Sequence, residues 1–323
     1  MNPPLAVVIP AYKTQFLRAT LQSFADQTDR RFQIYVGDDA SPEPVAAIIR
    51  DFSEKIPIRY HRFGENLGGK SLVGQWARCL EQTTEPWLWL FSDDDFIEPG
   101  CVAAFYAELE KTAGGHEAYR FSTVEERMPG TRLPAASRPR PLHALEEDGK
   151  NFLRTQLGGE HNSCMQEVIF SRAAWQRCGI PDFPLAWCSD DAFIASLGVK
   201  RPLRAIAGPR VHWRWSAENI TGNESKPVAR VKFHACAQFA RWAIPFLTAQ
   251  GMEPSEAVRL VEPWYYRHLH TKEMFLDRRC LGETMRLARD CWGRSSVVTG
   301  LELAAFNARL LGKKIARKLR ARP

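Results

Sequence analysis

Four times within the first 110 residues, a segment of strand length gives way to a polar loop and then to a segment with helical spacing. Leu5-Ala6-Val7-Val8-Ile9 is apolar at every position, the pattern of a strand buried on both faces of a parallel sheet. Leu17, Leu21 and Phe24 then recur at the helical period over Phe16 to Ala25, and Phe32 to Val36 reads as the second strand. The rhythm continues with a helix from about 43 to 52, a strand over 56–62, a helix over 71–81, a strand over 87–91 and a helix over 99–110. Such alternation calls for an α/β sheet with right-handed crossovers, whose ligand sits beyond the carboxyl ends of the strands. Pro10-Ala11-Tyr12, Asp38-Asp39, Asn66 with Gly68-Gly69, and Asp93-Asp94-Asp95 each follow a strand, so four loops converge on one crevice.

Beyond residue 115 the pattern loosens. Residues 125–145, with Pro129, Pro134, Pro139 and Pro141, read as a long surface loop. The spans 161–171 and 204–215 read as extended, and a short helix follows Trp187-Cys188-Ser189-Asp190-Asp191. From Val228 onward helices are expected, broken near Gly251, Gly282 and Gly293. Hydrophobic residues at 45% and charged residues at 25% exclude disordered, collagenous and membrane-embedded classes. The eight cysteines show neither CxxC pairs nor zinc-ligand spacing, which favours reduced thiols in a cytosol.

Three consecutive carboxylates after the very apolar Trp87 to Phe91 repel one another, and a divalent cation offsets that repulsion. Their hard oxygens suit Mg²⁺ or Mn²⁺, which take one or two carboxylates together with substrate phosphates. On an extended backbone Asp93 and Asp95 share a face and Asp94 points away. Asp38 and Asp39 are placed to accept hydrogen bonds from a base or ribose, although an Asp-Asp turn before Ser41-Pro42 is also ordinary loop chemistry. The pair Gly68-Gly69 after Asn66 permits close backbone approach to a ligand, and Lys70 near a helix start is placed to meet a phosphate. Neither the dinucleotide fingerprint nor the Walker pattern is present, which argues against nicotinamide enzymes and P-loop NTPases.

Taken together, Val8-Ile9-Pro10-Ala11-Tyr12, Val36-Gly37-Asp38-Asp39-Ala40-Ser41, Glu65-Asn66-Leu67-Gly68-Gly69 and Phe91-Ser92-Asp93-Asp94-Asp95 with Pro99-Gly100 resemble the family 2 glycosyltransferases of GT-A fold. The resemblance is strong over about 110 residues and looser to about residue 222. It implies a Rossmann-like mixed sheet flanked by helices, with Pro10, Tyr12 and Asp39 on the nucleotide and the acidic run holding a metal on the donor diphosphate. Asp190-Asp191 resembles the family's Glu-Asp pair, which makes Asp191 the base for the acceptor hydroxyl and Asp190 its neighbour. His212 to Ser216 lies where the family carries a basic, aromatic segment; Arg214 would stabilise the leaving phosphate, Trp213 or Trp215 would stack on a sugar, and His212 would be a further metal ligand. Two departures stand out. Leu72-Val73-Gly74 replaces the Ala-Arg-Asn triplet common after the glycine loop, so an arginine contact from there is missing. Ser92 replaces the first Asp of the common Asp-Ser-Asp-Asp form, which favours Asp94 and Asp95 as ligands and sets Asp93 near the ribose.

The expected organisation is a catalytic domain over 1–222, its donor half 1–115 and acceptor half 116–222, followed by a helical C-terminal extension over 223–323. The expected activity is inverting transfer of a sugar from a nucleoside diphosphate, UDP by family habit, to a hydroxyl of a glycan or lipid-linked acceptor. A metal-dependent nucleotidyltransferase is the nearest rival, but Pro10-Ala11-Tyr12 is not the Gly-rich basic loop it would need. Residues 1–199 carry a net charge of −7 and residues 200–323 one of +14. No nucleic-acid recognition motif accompanies the basic half, so a nucleic-acid partner is not expected. Its final segment, 301–323, is patterned as a basic amphipathic helix that could lie on an anionic membrane from the cytoplasmic side.

Overall fold

The computed structural model describes residues 4–131, 134–160, 162–217, 219–223, 225–271, 277–295 and 299–300. The chain divides into two compact units, residues 1–223 and residues from 224 onward. In the first, the expected alternation is present: β1 (Leu5–Ala11), α1 (Leu17–Ala25), β2 (Phe32–Asp38), α2 (Val45–Phe52), β3 (Ile58–Arg62), α3 (Leu72–Leu80), β4 (Trp87–Leu90), β5 (Phe96–Ile97) and α4 (Cys101–Lys111). The later part adds β6 (Ala118–Arg127), β7 (Ala136–Pro139), β8 (Glu146–Glu147), α5 (Gly149–Gly158), β9 (Val168–Ser171), α6 (Arg172–Cys178), α7 (Ser189–Leu197) and β10 (Leu203–Trp215).

These strands form one mixed sheet in the order β3-β2-β1-β4-β9-β6-β10-β5, with β7 on β6 and β8 on β10. The pairs β1–β2, β1–β4, β2–β3 and β6–β10 are parallel. β9 runs antiparallel to both β4 and β6. Leu5 to Ile9 are fully buried because β1 sits inside the sheet with packed layers on both faces. The apolar stripe of α1 closes one face, where Phe24 meets Phe32, Trp89 and Phe91 at ring separations of 5.2 to 5.9 Å. Burying each such ring contributes about 1.5–3 kcal/mol, so this cluster anchors the strands whose ends carry the polar loops.

Ser71, Asp148 and Ser171 cap the helices α3, α5 and α6 by accepting from backbone N–H groups three residues on, as polar residues at those boundaries should. The expectation of a continuous loop over 125–145 is corrected. β6 runs on to Arg127, and 136–139 pairs back onto it from Val124 to Arg127, because a proline at the end of an edge strand leaves the ladder intact.

The second unit is helical, with α8 (Lys226–Ala249), α9 (Pro254–Thr271) and α10 (Arg278–Trp292). Phe233, Tyr265 and Trp292 pack at 5.0 and 5.7 Å, and Arg230–Asp277 and Arg241–Glu283 tie α8 to the α10 end. Gly251 (φ +80°) follows α8 and Gly293 (φ +64°) caps α10, where a left-handed residue ends a helix without penalty. Gly282, by contrast, lies inside α10 and breaks nothing. Among the described residues no helix is long and apolar enough to cross a membrane. The expected basic helix over 301–323 lies outside the described residues.

Candidate active site

The loops after β1, β2, β3 and β4 are stitched to one another by carboxylates. Asp93 Oδ2 accepts from the backbone N–H groups of Tyr12 (2.9 Å) and Lys13 (3.1 Å), which binds the end of β4 to the end of β1. Ser41 Oγ donates to the Tyr12 carbonyl (2.5 Å) and Asp39 N–H to that of Ala11 (2.9 Å), which brings in β2. Pro10 and Ala11 are the last two residues of β1, paired with Gly37 and Asp38, and the Tyr12 ring stands open to solvent at the lip.

Asp39 is buried and organises the glycine loop: Oδ1 accepts from Leu67 N and Oδ2 from Gly68 N, both at 2.8 Å. A Cβ at residue 68 would lie 2.6 Å from that oxygen, so the side of the loop facing Asp39 has to be glycine. Asn66 Oδ1 closes the turn from within by accepting from Gly69 N. Arg78 on α3 donates to Asp39 Oδ1 (2.5 Å) and to the Glu65 carbonyl, with its guanidinium 3.8 Å over the Phe63 ring. An arginine therefore does reach this corner, from the last turn of α3 rather than from 72–74.

Within the acidic run the three carboxylates face different partners. Asp95 is buried and accepts from Arg214 N (2.6 Å), Ser92 Oγ and Gln166 Nε2, while Thr20 Oγ1 donates to its carbonyl at 2.6 Å. Asp93 commits one oxygen, Oδ2, to the Tyr12–Lys13 backbone. Asp94 is the member whose carboxylate is least engaged, with Ser92 and the Arg214 charge nearby. Arg214 Nη1 donates to the Asp94 carbonyl (2.5 Å), and its guanidinium lies between the rings of Phe16 (4.9 Å) and Phe96 (4.5 Å). Burial and the Asp94 charge push Asp93 up to about 7, burial raises Asp94, and burial with the Asp94 charge pushes Asp95 well up. Three acids this close and this enclosed favour a cation among them.

Several expected site residues are turned to other partners. Asp38 is fully buried and consumed by Ser41 N, Tyr60 OH and Arg62 Nη1 at 2.6–2.8 Å, a knot made because Asp38 pairs in register with Arg62. Lys70 is exposed and salt-bridged to Glu65 at 3.1 Å. His212 stacks on Phe96 at 4.3 Å, with Nδ1 on Glu126 (2.8 Å) and Nε2 on Glu98 (3.2 Å), so both ring nitrogens already face carboxylates. Trp213 and Trp215 lie nearly parallel with centroids 6.3 Å apart. Among the described residues no three His, Cys, Asp or Glu side chains form a ready-made metal cage. A cavity of about 270 Å³ lies elsewhere, lined by Tyr35, Arg59, His61, Cys79 and Gln82 among others, and takes in none of the acidic run.

The second acidic centre opens α7. Asp190 and Asp191 are partly exposed; Asp191 Oδ1 accepts from Ser163 Oγ (2.6 Å), and Asp190 Oδ1 from Asp191 N (3.0 Å). The backbone leading in carries three non-glycine residues at positive φ, Leu185, Ala186 and Cys188, a strain that the surrounding packing has to hold. Segment 163–167 joins the two centres: Ser163 donates to Asp191, Gln166 to Asp95, and Glu167 receives Arg120. Ser163, Gln166 and Arg78 carry no local motif, and only long-range contacts bring them in.

A family model described as Glycosyl transferase family 2 matches residues 6–166. No curated protein matches the chain in sequence. Among solved structures it is similar to residues 1–349 of S. aureus TarS, at 13% identity and a TM-score of 0.60 over 88% of this chain and 80% of that one. In complex with UDP-GlcNAc the same protein gives 13% identity and a TM-score of 0.64 over 89% and 81%. With UDP it gives 14% and 0.57 over 88% and 80%. At such identities the likeness is one of fold.

Proposed function

The chain belongs to glycosyl transferase family 2, and from that premise we propose that it is an inverting transferase moving a sugar from a nucleoside diphosphate, UDP first among them, to a hydroxyl of a glycan or lipid-linked acceptor in cell-surface polysaccharide assembly. The observation that carries this reading is the single segment 163–167, which ties the acidic run at the end of β4 to the Asp190–Asp191 pair. In this reading residues 1–115 bind the donor, residues 116–222 the acceptor, and 223–323 are an extension.

The contacts support the following roles. Asp39, Arg78 and the Gly68 backbone form the corner for the base and ribose, with Pro10 and Tyr12 at its edge. Asp94, aided by Asp93, would hold Mn²⁺ or Mg²⁺; Asp95 is better seen as the group that fixes Arg214, and His212 as part of the Glu98–Glu126 cluster. The chemistry such a cation would supply, when bound, is neutralisation of charge on the diphosphate. Arg214, held between two rings, adds its charge to the same oxygens. Asp191 takes the acceptor proton as the hydroxyl oxygen bonds to the anomeric carbon and the diphosphate leaves from the opposite face.

The test is a thermal-shift screen of UDP-glucose, UDP-galactose, UDP-GlcNAc and GDP-mannose with and without Mn²⁺, followed by assay of nucleotide release. A donor-dependent rise in melting temperature that requires the metal is expected. Asp191→Asn should bind donor normally and lose about 10²–10⁴-fold in turnover; an active Asp191→Asn enzyme would remove the assigned base.

A further inference from the structure

Arg120 lies in β6 with 2% of its surface exposed, opposite Val168 of β9 and Ala205 of β10. Its Nε donates to Glu167 Oε1 at 2.5 Å and its Nη1 to Glu147 Oε2 at 2.8 Å. The guanidinium sits 4.8 Å from the Phe152 ring centre, and the buried Nη2 has no hydrogen-bond partner among the described residues. Arginine is costly to bury, and one partner, Glu167, is itself fully buried. The pair alone does not account for the placement, since an apolar pair of similar volume would pack as well.

What lies beside it does. We propose that Arg120 is a positioning residue for the reaction: through its network with Glu167 it supplies the compensating positive charge that lets Asp191 serve as a carboxylate base. This rests on the assignment of Asp191 made above. Segment 163–167 connects this network to α7: Ser163 donates to Asp191, Cys164 Sγ lies 3.9 Å from Glu167 Oε2, and Glu167 shares Arg120 with Glu147 of β8. Arg120 is the buried cation of this network, and Arg140, half-buried and donating to Glu125, also feels the Glu167 charge. Helices α5 and α6 also pack on α7. Of their cations, Lys150 and Arg154 on the first and Arg172 and Arg177 on the second, none is hydrogen-bonded or ion-paired to Asp190 or Asp191 among the described residues. Arg172 is turned to Thr83 and the Glu85 carbonyl, and Arg177 to Glu117.

Burial pushes the Asp191 carboxyl up, and the Ser163 hydroxyl and the Arg120 charge pull it back. Burial drives Glu167 up to about 7 against the pull of Arg120, with the Asp191 charge adding to the rise. Asp190 is pushed well up by burial and by Asp191. Removing Arg120 therefore makes the base harder to ionise. Glu167 titrates near 7 beside an already charged Asp191, so removing its carboxyl leaves the base no harder to ionise. An upward shift on loss of one partner of the ion pair and none on loss of the other is a pattern that loss of packing would not produce.

The experiment is the pH profile of kcat/KM for nucleotide release from whichever of the four donors above the full chain turns over, with Mn²⁺, in Arg120→Gln, Arg120→Lys, Glu167→Gln and Asp191→Asn. Arg120→Gln should move the acidic limb up by about one pH unit and lower turnover about tenfold near neutrality, with donor KM within about twofold. Arg120→Lys should bring the limb most of the way back, and Glu167→Gln should leave it at or below that of the wild type. An Arg120→Gln enzyme that loses rate equally at every pH, with Asp191→Asn inactive, would overturn the role of Arg120 and leave the base standing. Activity in Asp191→Asn would instead overturn the base, and this inference with it. If Arg120→Gln does not fold, Glu167→Gln decides: a limb that moves up overturns the proposal, and one at or below that of the wild type supports it.

Discussion

Asp39 Oδ2 and Gly68 N are 2.8 Å apart, and a methyl group on residue 68 would come within 2.6 Å of that same oxygen. Gly68→Ala must therefore open a hydrogen bond to a buried carboxylate. A loss of about 1–3 kcal/mol in urea unfolding is expected, together with weaker binding of UDP. A variant as stable as the wild type would show that the loop relaxes freely.

Arg78 grips the same carboxylate from α3 while stacking on Phe63. Arg78→Ala leaves Asp39 buried beside two backbone donors without its counter-charge, and UDP affinity by calorimetry should fall about tenfold or more. Arg78→Lys should rescue little, because an ammonium can neither stack as a plane on Phe63 nor fork between Gln75, held by Nε, and Asp39, held by Nη2. Full rescue by lysine would reduce the role of Arg78 to charge.

Neighbouring acids at 94 and 95 should behave in opposite ways. Asp95→Asn places an amide NH₂ among groups that all donate, so it should lower the melting temperature even without metal. Asp94→Asn removes a charge that repels its neighbours. It should leave the metal-free melting temperature unchanged or higher while abolishing the Mn²⁺-dependent gain with donor. Equal loss of that gain in both, with no difference in metal-free stability, would contradict the division of labour.

Glu167 gives a stability signature. Its carboxyl rises from an ordinary value near 4.5 to about 7 in the folded protein. Between those values the folded chain binds the proton more tightly than the unfolded chain. The group's contribution is thus fully present below about pH 4.5 and is lost as pH rises to about 7, by at most about 1.4 kcal/mol per unit. Glu167→Gln should flatten this slope in urea unfolding at pH 5, 6 and 7; an unchanged slope would place the titration elsewhere.

How far the sequence discloses all this depends on whether a group acts along the chain or across the sheet. β1 to α4 were legible because the apolar period is local, and the polar loops announced themselves by following strands. Asp93 to Asp95 were legible as a run but not as individuals: their separate fates come from Tyr12, Arg214 and Gln166, which are 71 to 119 residues away. Asp38 read as a candidate ligand because nothing local shows that β3 will bring Tyr60 and Arg62 onto it. Arg120 and Glu167 were invisible for the same reason, being neighbours only once β6 lies beside β9.

That β9 runs against β4 and β6 has a geometric consequence. It enters the sheet at the end where β4 leaves it, so the stretch before a strand, rather than after one, spans from the acidic run to the Asp190–Asp191 pair. Its position is set by Trp89 lying opposite Ile169 and Arg120 opposite Val168. Register changes only in whole residues, and a slip of one turns every side chain to the other face. The gap between the two acidic centres is accordingly a fixed gauge cut by the sheet, and acceptors of different girth would have to be accommodated by the surrounding loops.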